Sequence, residues 1–206
     1  MRKVGVSFLS SKNIKKDLER ISNSKADYIH VDVADGKFVK EKHLPFKSLE
    51  RYSNLYQKRL DVHLMVQKPK AFIDSYATLN VEYITVHVEL KEDLLELIDQ
   101  IKQYGIKAGL SVNPKTDIEL IYPYLDEVSQ VLVMCVEPGR GGQVHIDMSD
   151  KVKALKEEIG SRNVIIAVDG GINNENVSLY DDADLIISGS YVLGSDDLNS
   201  RIGELR

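Results

Sequence analysis

Within His30-Val31-Asp32-Val33-Ala34-Asp35-Gly36 a histidine and a carboxylate stand two residues apart among alternating polar and apolar residues. Successive side chains of a β-strand point to opposite faces, so His30, Asp32 and Ala34 share one face and Val31 and Val33 the other. A histidine and an aspartate so placed can grip one metal ion. Asp35-Gly36 is a turn signal, which puts the pair near the carboxyl end of its strand. Two further stretches, Asp61-Val62-His63-Leu64-Met65 and Val168-Asp169, carry the same residue types. His30, Asp32, His63 and Asp169 make a mixed nitrogen and oxygen set that suits zinc, manganese, iron or cobalt better than calcium or magnesium. Taken singly, each is explained as a loop cap or a hydrogen-bonded core histidine. Taken together that explanation weakens, because it leaves several ionisable groups converging without partners.

His87 and Glu89 form a second pair two residues apart, which either supports the ligands or makes an ordinary strand exit. His43, in a charged loop, and His145, after a glycine-rich loop, are expected to be solvated. Cys135 lies in an apolar run and reads as a small buried hydrophobe.

Glycines cluster at Gly139 with Gly141-Gly142, at Gly170-Gly171 and at Gly189-Ser190. Glycine lets backbone N–H groups approach an anion closely, and any one cluster could equally be a tight turn. Three in succession after three strands point to a phosphate on a small molecule. Arg140, inside the first cluster, either adds charge to that phosphate or is a solvated loop residue.

The elements that must position these residues alternate. Strands are expected over residues 4–9, 28–33, 59–66, 83–88, 107–112, 127–136, 163–168 and 184–188. Helices are expected over 14–24, from Pro45 toward Leu55, from Pro69 through Tyr76, over 93–104, weakly over 117–122, over 150–159 and briefly over 176–180. The clearest is 93–104, with Leu94, Leu97, Ile98 and Ile101 on one stripe and Gly105 as its stop. About eight strand–helix units predict a single-domain (β/α)₈ TIM barrel over residues 1–206, with a doubly wound open sheet as the runner-up. The barrel is preferred because polar residues cluster at the carboxyl ends of several strands, where barrel active sites are built.

Composition narrows the function. The chain has 206 residues, 43% hydrophobic and 29% charged, which fits one globular domain. No apolar run is long enough to cross a bilayer, so no membrane partner is expected. A net charge of −5 argues against nucleic acid as a partner. The amino terminus runs into a strand without a secretory signal, and one cysteine cannot form an internal disulfide; both predict a cytoplasmic protein.

The ordered set of motifs resembles the ribulose-phosphate 3-epimerases along nearly the whole chain. It comprises Ser7-Phe8-Leu9-Ser10, His30 to Gly36 with Phe38-Val39, Asp61 to Val66, His87-Val88-Glu89, Asn113-Pro114-Lys115-Thr116, Val133-Met134, Pro138-Gly139, Gly141-Gly142-Gln143, Val168 to Ile172 and Gly189-Ser190. The resemblance implies a metal-dependent isomerase of the pentose phosphate pathway on a (β/α)₈ barrel, with a ketose phosphate as substrate, and a homo-oligomer is expected. It implies His30, Asp32, His63 and Asp169 as ligands of one divalent transition metal, and Asp32 and Asp169 as the acid/base pair. It implies substrate and phosphate contacts at Ser7, His63, Gly139, Gly141, Gly142, Gly170, Gly171, Gly189 and Ser190, with Met65 and Met134 packed over the reacting carbons.

Ala34 stands where the family usually has a third such methionine. Lys40-Glu41 replaces a Pro-Asn pair, Glu137 an asparagine, and Arg140 and His145 each an aromatic residue. No ligand or acid/base group is lost, so the reaction type is expected to survive while the pocket and its covering loop differ. Rival readings are epimerisation of another ketose phosphate, such as D-allulose 6-phosphate, and a catalytically silent sugar-phosphate-binding barrel. Barrels resembling orotidine-phosphate decarboxylase carry Asp-x-Lys on the third strand, where this chain has Asp61-Val62-His63.

Overall fold

In the computed structural model, residues 2–206 are described and Met1 lies outside them. Strands β1 (Lys3–Ser7), β2 (Tyr28–Asp35), β4 (Leu60–Met65), β5 (Val81–His87), β6 (Lys107–Val112), β7 (Gln130–Met134), β8 (Ile165–Asp169) and β9 (Leu185–Ser188) are joined in parallel. The ladder runs β1-β9-β8-β7-β6-β5-β4-β2, and β1 also pairs with β2, closing the eight strands into a barrel. A two-residue strand, β3 (Lys42–His43), adds antiparallel to the end of β2, opposite Ala34 and Asp35. The barrel expectation holds, and the open sheet is excluded by the β1–β2 pairing.

Helices α1 (Ile14–Ser22), α2 (Phe46–Arg51), α3 (Lys70–Tyr76), α4 (Leu94–Gln103), α5 (Ser149–Ile159), α6 (Ser190–Leu193) and α7 (Leu198–Glu204) follow the strands. Their starts are written locally. Asn13 accepts from Lys16 N–H at the head of α1, and Asp93 accepts from Leu95 and Glu96 N–H at the head of α4. Leu94, Leu97, Ile98 and Ile101 are the buried stripe of α4, as the periodicity predicts. Residues 118–124 and 177–180 are 3₁₀ turns rather than α-helix; the first contains Pro123, which cannot donate to an α-helical ladder. The seventh strand is shorter than the run 127–136, because Glu127 and Val128 donate back to Tyr124 O and close a turn first. Helix α7, capped by Asp197, has no counterpart among the expected elements.

Alternation along the strands divides the interior. Leu60, Val62 and Leu64 of β4 join the apolar layer between strands and helices. A smaller apolar set, including Tyr28, Tyr83, Leu132, Leu185 and Ile187, forms a second cluster. Eight of the buried polar residues, His30, Asp32, Asp61, His63, Thr85, His87, Ser111 and Gln130, sit on five neighbouring strands, β2, β4, β5, β6 and β7, with Ser7 on β1 and Ser188 on β9 besides. Most groups of such an interior find partners, and each one that does not calls for an explanation.

Candidate active site

His30, Asp32, His63 and Asp169 offer one ligand atom each, all within 4.8 Å of one another. β2 and β4 pair Asp32 with His63 directly, and β8 brings Asp169 from across β1 and β9. His30 Nε2 stands 3.5 Å and His63 Nδ1 3.4 Å from Asp32 Oδ1. Both nitrogens are buried and make no hydrogen bond.

The groups behind each imidazole fix which nitrogen is bare. His30 Nδ1 lies 2.8 Å from Asp61 Oδ2, and a carboxylate only accepts, so Nδ1 keeps a proton and Nε2 is the nitrogen left to face the cluster. Gln130 Nε2 donates to Asp61 Oδ1 at 3.1 Å and to Thr85 Oγ1 at 3.1 Å. For His63 the relay has one more member. His87 Nδ1–H donates to Glu89 Oε2 at 3.0 Å, so His87 Nε2 accepts from His63 Nε2–H at 2.8 Å, leaving His63 Nδ1 bare. Glu89 is itself anchored by Asn113 N–H at 2.8 Å. His87 and Glu89 are thus support for a ligand. Burial, only partly offset by Glu89, pushes the His87 pKa down to about 4, as a neutral relay requires. Burial opposes the charge on Glu89, but His87, Thr116 and Asn113 N–H outweigh it and pull its pKa down to about 2.

The field at the cluster favours positive charge. Burial disfavours a proton on His30, yet Asp32 and Asp61 outweigh it and hold its pKa well above the ordinary value. Burial likewise opposes the Asp32 charge, yet His30 and His63 hold its pKa well below. For Asp169, burial and the charge of Asp32 act together and push the carboxyl up to about 7. Two imidazole nitrogens without hydrogen-bond partners and two carboxylates, converging in a field that stabilises a cation, fit a divalent transition metal.

Above the cluster opens a cavity of about 360 Å³. Its wall contains Ser7, Met65 and Met134 and every glycine expected to face phosphate: Gly139, Gly141, Gly142, Gly170, Gly171 and Gly189, with Ser190. Ser7 Oγ donates to Asp32 Oδ2 at 2.7 Å. At Gly170, φ is +123° and an added Cβ would stand 2.7–2.9 Å from Val136 and the Cys135 carbonyl carbon, so only glycine lets this loop cross so close to β7. Ala34 is fully buried and lies outside the cavity wall.

Two histidines expected to be solvated are not. His43 is half-buried, its ring edge-on to Phe8 and its Nε2 enclosed without a partner, because β3 ties it against Ala34. His145 is also half-buried: its Nδ1–H donates to Gly170 O at 2.9 Å and its Nε2 accepts from Tyr180 OH at 2.9 Å. Tyr180 OH in turn accepts from Met148 N–H, so the loop after β7 is pinned to the glycine turn after β8. Cys135 is buried as expected, and burial pushes its thiol up to about 12. Asp61 and Gln130 went without a role in the sequence reading; the signal for Asp61 was its position two residues before His63, on the same strand face.

A closed barrel with a histidine–aspartate cluster beneath a glycine-lined cavity at its strand ends has the form of a barrel enzyme's active site. Residues 3–193 match the model of the ribulose-phosphate 3 epimerase family. The ribulose-phosphate 3-epimerase of Bacillus subtilis (strain 168) is 35% identical over 214 residues, covering 100% of this chain and 99% of the relative. That of Helicobacter pylori (strain J99) is 38% identical over 202 residues, covering 95% and 92%. Among solved structures, KGPDC from Streptococcus mutans superposes with a TM-score of 0.72 at 13% identity, covering 100% of this chain and 95% of its own, a likeness of fold. The chain belongs to the ribulose-phosphate 3-epimerase family and, like these relatives, is an isomerase. Among the described residues no helix is long and apolar enough to cross a membrane.

Proposed function

We propose that this protein interconverts D-ribulose 5-phosphate and D-xylulose 5-phosphate by proton transfer at C3, using Asp32 and Asp169 as the acid/base pair. The observation that carries the reading is two carboxylates at one cavity with opposite proton affinities, Asp32 held ionised and Asp169 held up to about 7. Inverting a carbon beside a ketone removes its proton from one face and returns one to the other, so each direction needs one base and one acid at the same moment. Ionised Asp32 takes the C3 proton, protonated Asp169 delivers its own to the opposite face, and the reverse direction exchanges the roles. Asp32 reaches the cavity from β2 and Asp169 from β8, with β1 and β9 between them, which suits approach from two sides.

His30, His63, Asp32 and Asp169 would hold one divalent ion, of zinc, manganese, iron or cobalt. When bound, it supplies Lewis-acid stabilisation to the charge that develops on the substrate oxygens. Met65 and Met134 restrict water over the reacting carbons, and backbone N–H groups of the glycine turns at Gly170-Gly171 and Gly189-Ser190 receive the phosphate.

A coupled epimerase assay on D-ribulose 5-phosphate, after chelation and add-back of single metals, tests the reading, with D-allulose 6-phosphate run alongside. Activity on the pentose phosphate restored by one of these metals is expected. Asp32→Asn and Asp169→Asn should each lose about 10²- to 10⁴-fold in turnover, the usual worth of a positioned acid or base. Turnover like wild type in either variant would sink the assignment.

A further inference from the structure

The wall of the active-site cavity contains two aspartates and, among the described residues, one cationic side chain, Arg140. Its surroundings hold the backbone while leaving the guanidinium free. Gln143 Nε2 donates to Glu137 O at 2.6 Å and to Arg140 O at 2.7 Å, closing the loop on itself. On either side of Arg140 the chain runs tight against the barrel rim: an added Cβ on Gly139 would stand 3.0 Å from Val39, and one on Gly141 would stand 2.4 Å from Ser10 Oγ. Glu137, the acid nearest in sequence, is engaged by Lys115 at 2.8 Å. Glu41 Oε2 lies beside Gly139 without reaching the guanidinium. Arg140 is exposed and also borders the neighbouring cavity at the mouth, so its side chain can swing between solvent and the site.

We propose that Arg140 is the anion-recognising cation of this site: its guanidinium draws in the substrate and engages its dianionic phosphate at the cavity mouth. This rests on the function proposed above. A dianion entering a chain of net charge −5 meets an unfavourable field. The backbone N–H groups of the glycine turns carry no net charge to offset it. One guanidinium at the rim does, and a charge there acts on the association rate and its salt dependence more than on the chemical step.

Three proteins test this: wild type, Arg140→Gln, and Lys153→Gln, which removes the same charge from α5, away from the cavity wall. For Arg140→Gln, KM for D-ribulose 5-phosphate should rise about tenfold while kcat falls less than about threefold, as for loss of a rim charge contact. Its log kcat/KM should fall less steeply than wild type between about 20 and about 300 mM NaCl. Lys153→Gln should follow wild type. The dissociation constant for inorganic phosphate, read by titration calorimetry, should weaken in Arg140→Gln by a factor similar to that in KM. KM, phosphate affinity and salt slope all within about twofold of wild type would overturn the proposal, as would a wild type with no measurable phosphate binding. The phosphate titration reads Arg140 without turnover, so a wild type that binds phosphate but epimerises no ketose phosphate would refute the proposed function separately.

Discussion

Asp61 makes no contact with the cavity, yet replacing it should weaken metal binding. Its Oδ2 holds a proton of His30 on Nδ1, 2.8 Å away, and that bond leaves Nε2 as the nitrogen a metal can take. In Asp61→Ala the imidazole is free to move its proton to Nε2 and donate to Asp32 Oδ1, 3.5 Å away. Binding a metal then requires the tautomer whose Nδ1–H is buried without an acceptor, at about 1–3 kcal/mol. That corresponds to a loss of about 10- to 100-fold in affinity, the range found when the outer partner of a metal-bound histidine is removed. Asp61→Asn should lose less. Gln130 Oε1 has no partner, so the Gln130 amide can turn to accept from the new side-chain NH₂ while the Asn oxygen keeps His30 in place. Competition of each variant with a chelator for zinc or manganese measures the effect, with near-ultraviolet circular dichroism to establish that the barrel is intact. Affinity within about twofold of wild type in a folded Asp61→Ala protein would refute the tautomer argument.

Two further outcomes follow from burial and strain. The Asp169 carboxyl titrates near 7 in the folded metal-free protein against 3.8 in the unfolded chain. The folded state therefore binds more protons in that window, and this stability is present at low pH and lost as pH rises toward 7. Asp169→Asn lacks the loss, so its urea-unfolding free energy relative to wild type, with chelator present, should rise by about 3 kcal/mol from pH 5 to pH 8; a flat difference would count against it. Gly170→Ala puts a Cβ against Val136 and Cys135 at a left-handed φ, and should cost at least about 2 kcal/mol by urea unfolding as well as displacing Asp169; a cost below about 0.5 kcal/mol would contradict the packing.

The fold was legible where one side-chain period ran long enough. Alternation in 28–35 and 60–65 and the 3.6-residue stripe of α4 are local facts, and so are the turn glycines. Strand alternation likewise puts His30 with Asp32 on one face, while His63 and Asp169 were legible from residue type near a strand end. What escaped depends on pairings far apart in sequence. His145 was read as solvated because nothing near it announces Tyr180, 35 residues on. His43 was misread because a two-residue strand carries no periodicity, and the partners of Asp61 and Gln130 lie up to 69 residues apart. Arg140 stood between two readings because its meaning depends on which other cations reach the cavity, a property of the closed barrel.

The same closure explains why this interior calls for a cation. Asp32, Asp61, Glu89 and Asp169 are carboxylates inside or at the mouth of one barrel, and among the described residues no lysine or arginine hydrogen-bonds any of them. The relay through His87 fixes the Nε2 proton of His63 between the two rings and turns its Nδ1 to the cluster. Buried negative charge without compensation is costly, and the chain's own remedies are to hold a proton on Asp169 and to favour one on His30. A divalent ion held by His30, His63, Asp32 and Asp169 would supply that positive charge directly. Under the proposed function a substrate phosphate would add two negative charges to this cavity, where Arg140 is the one cationic side chain among the described wall residues.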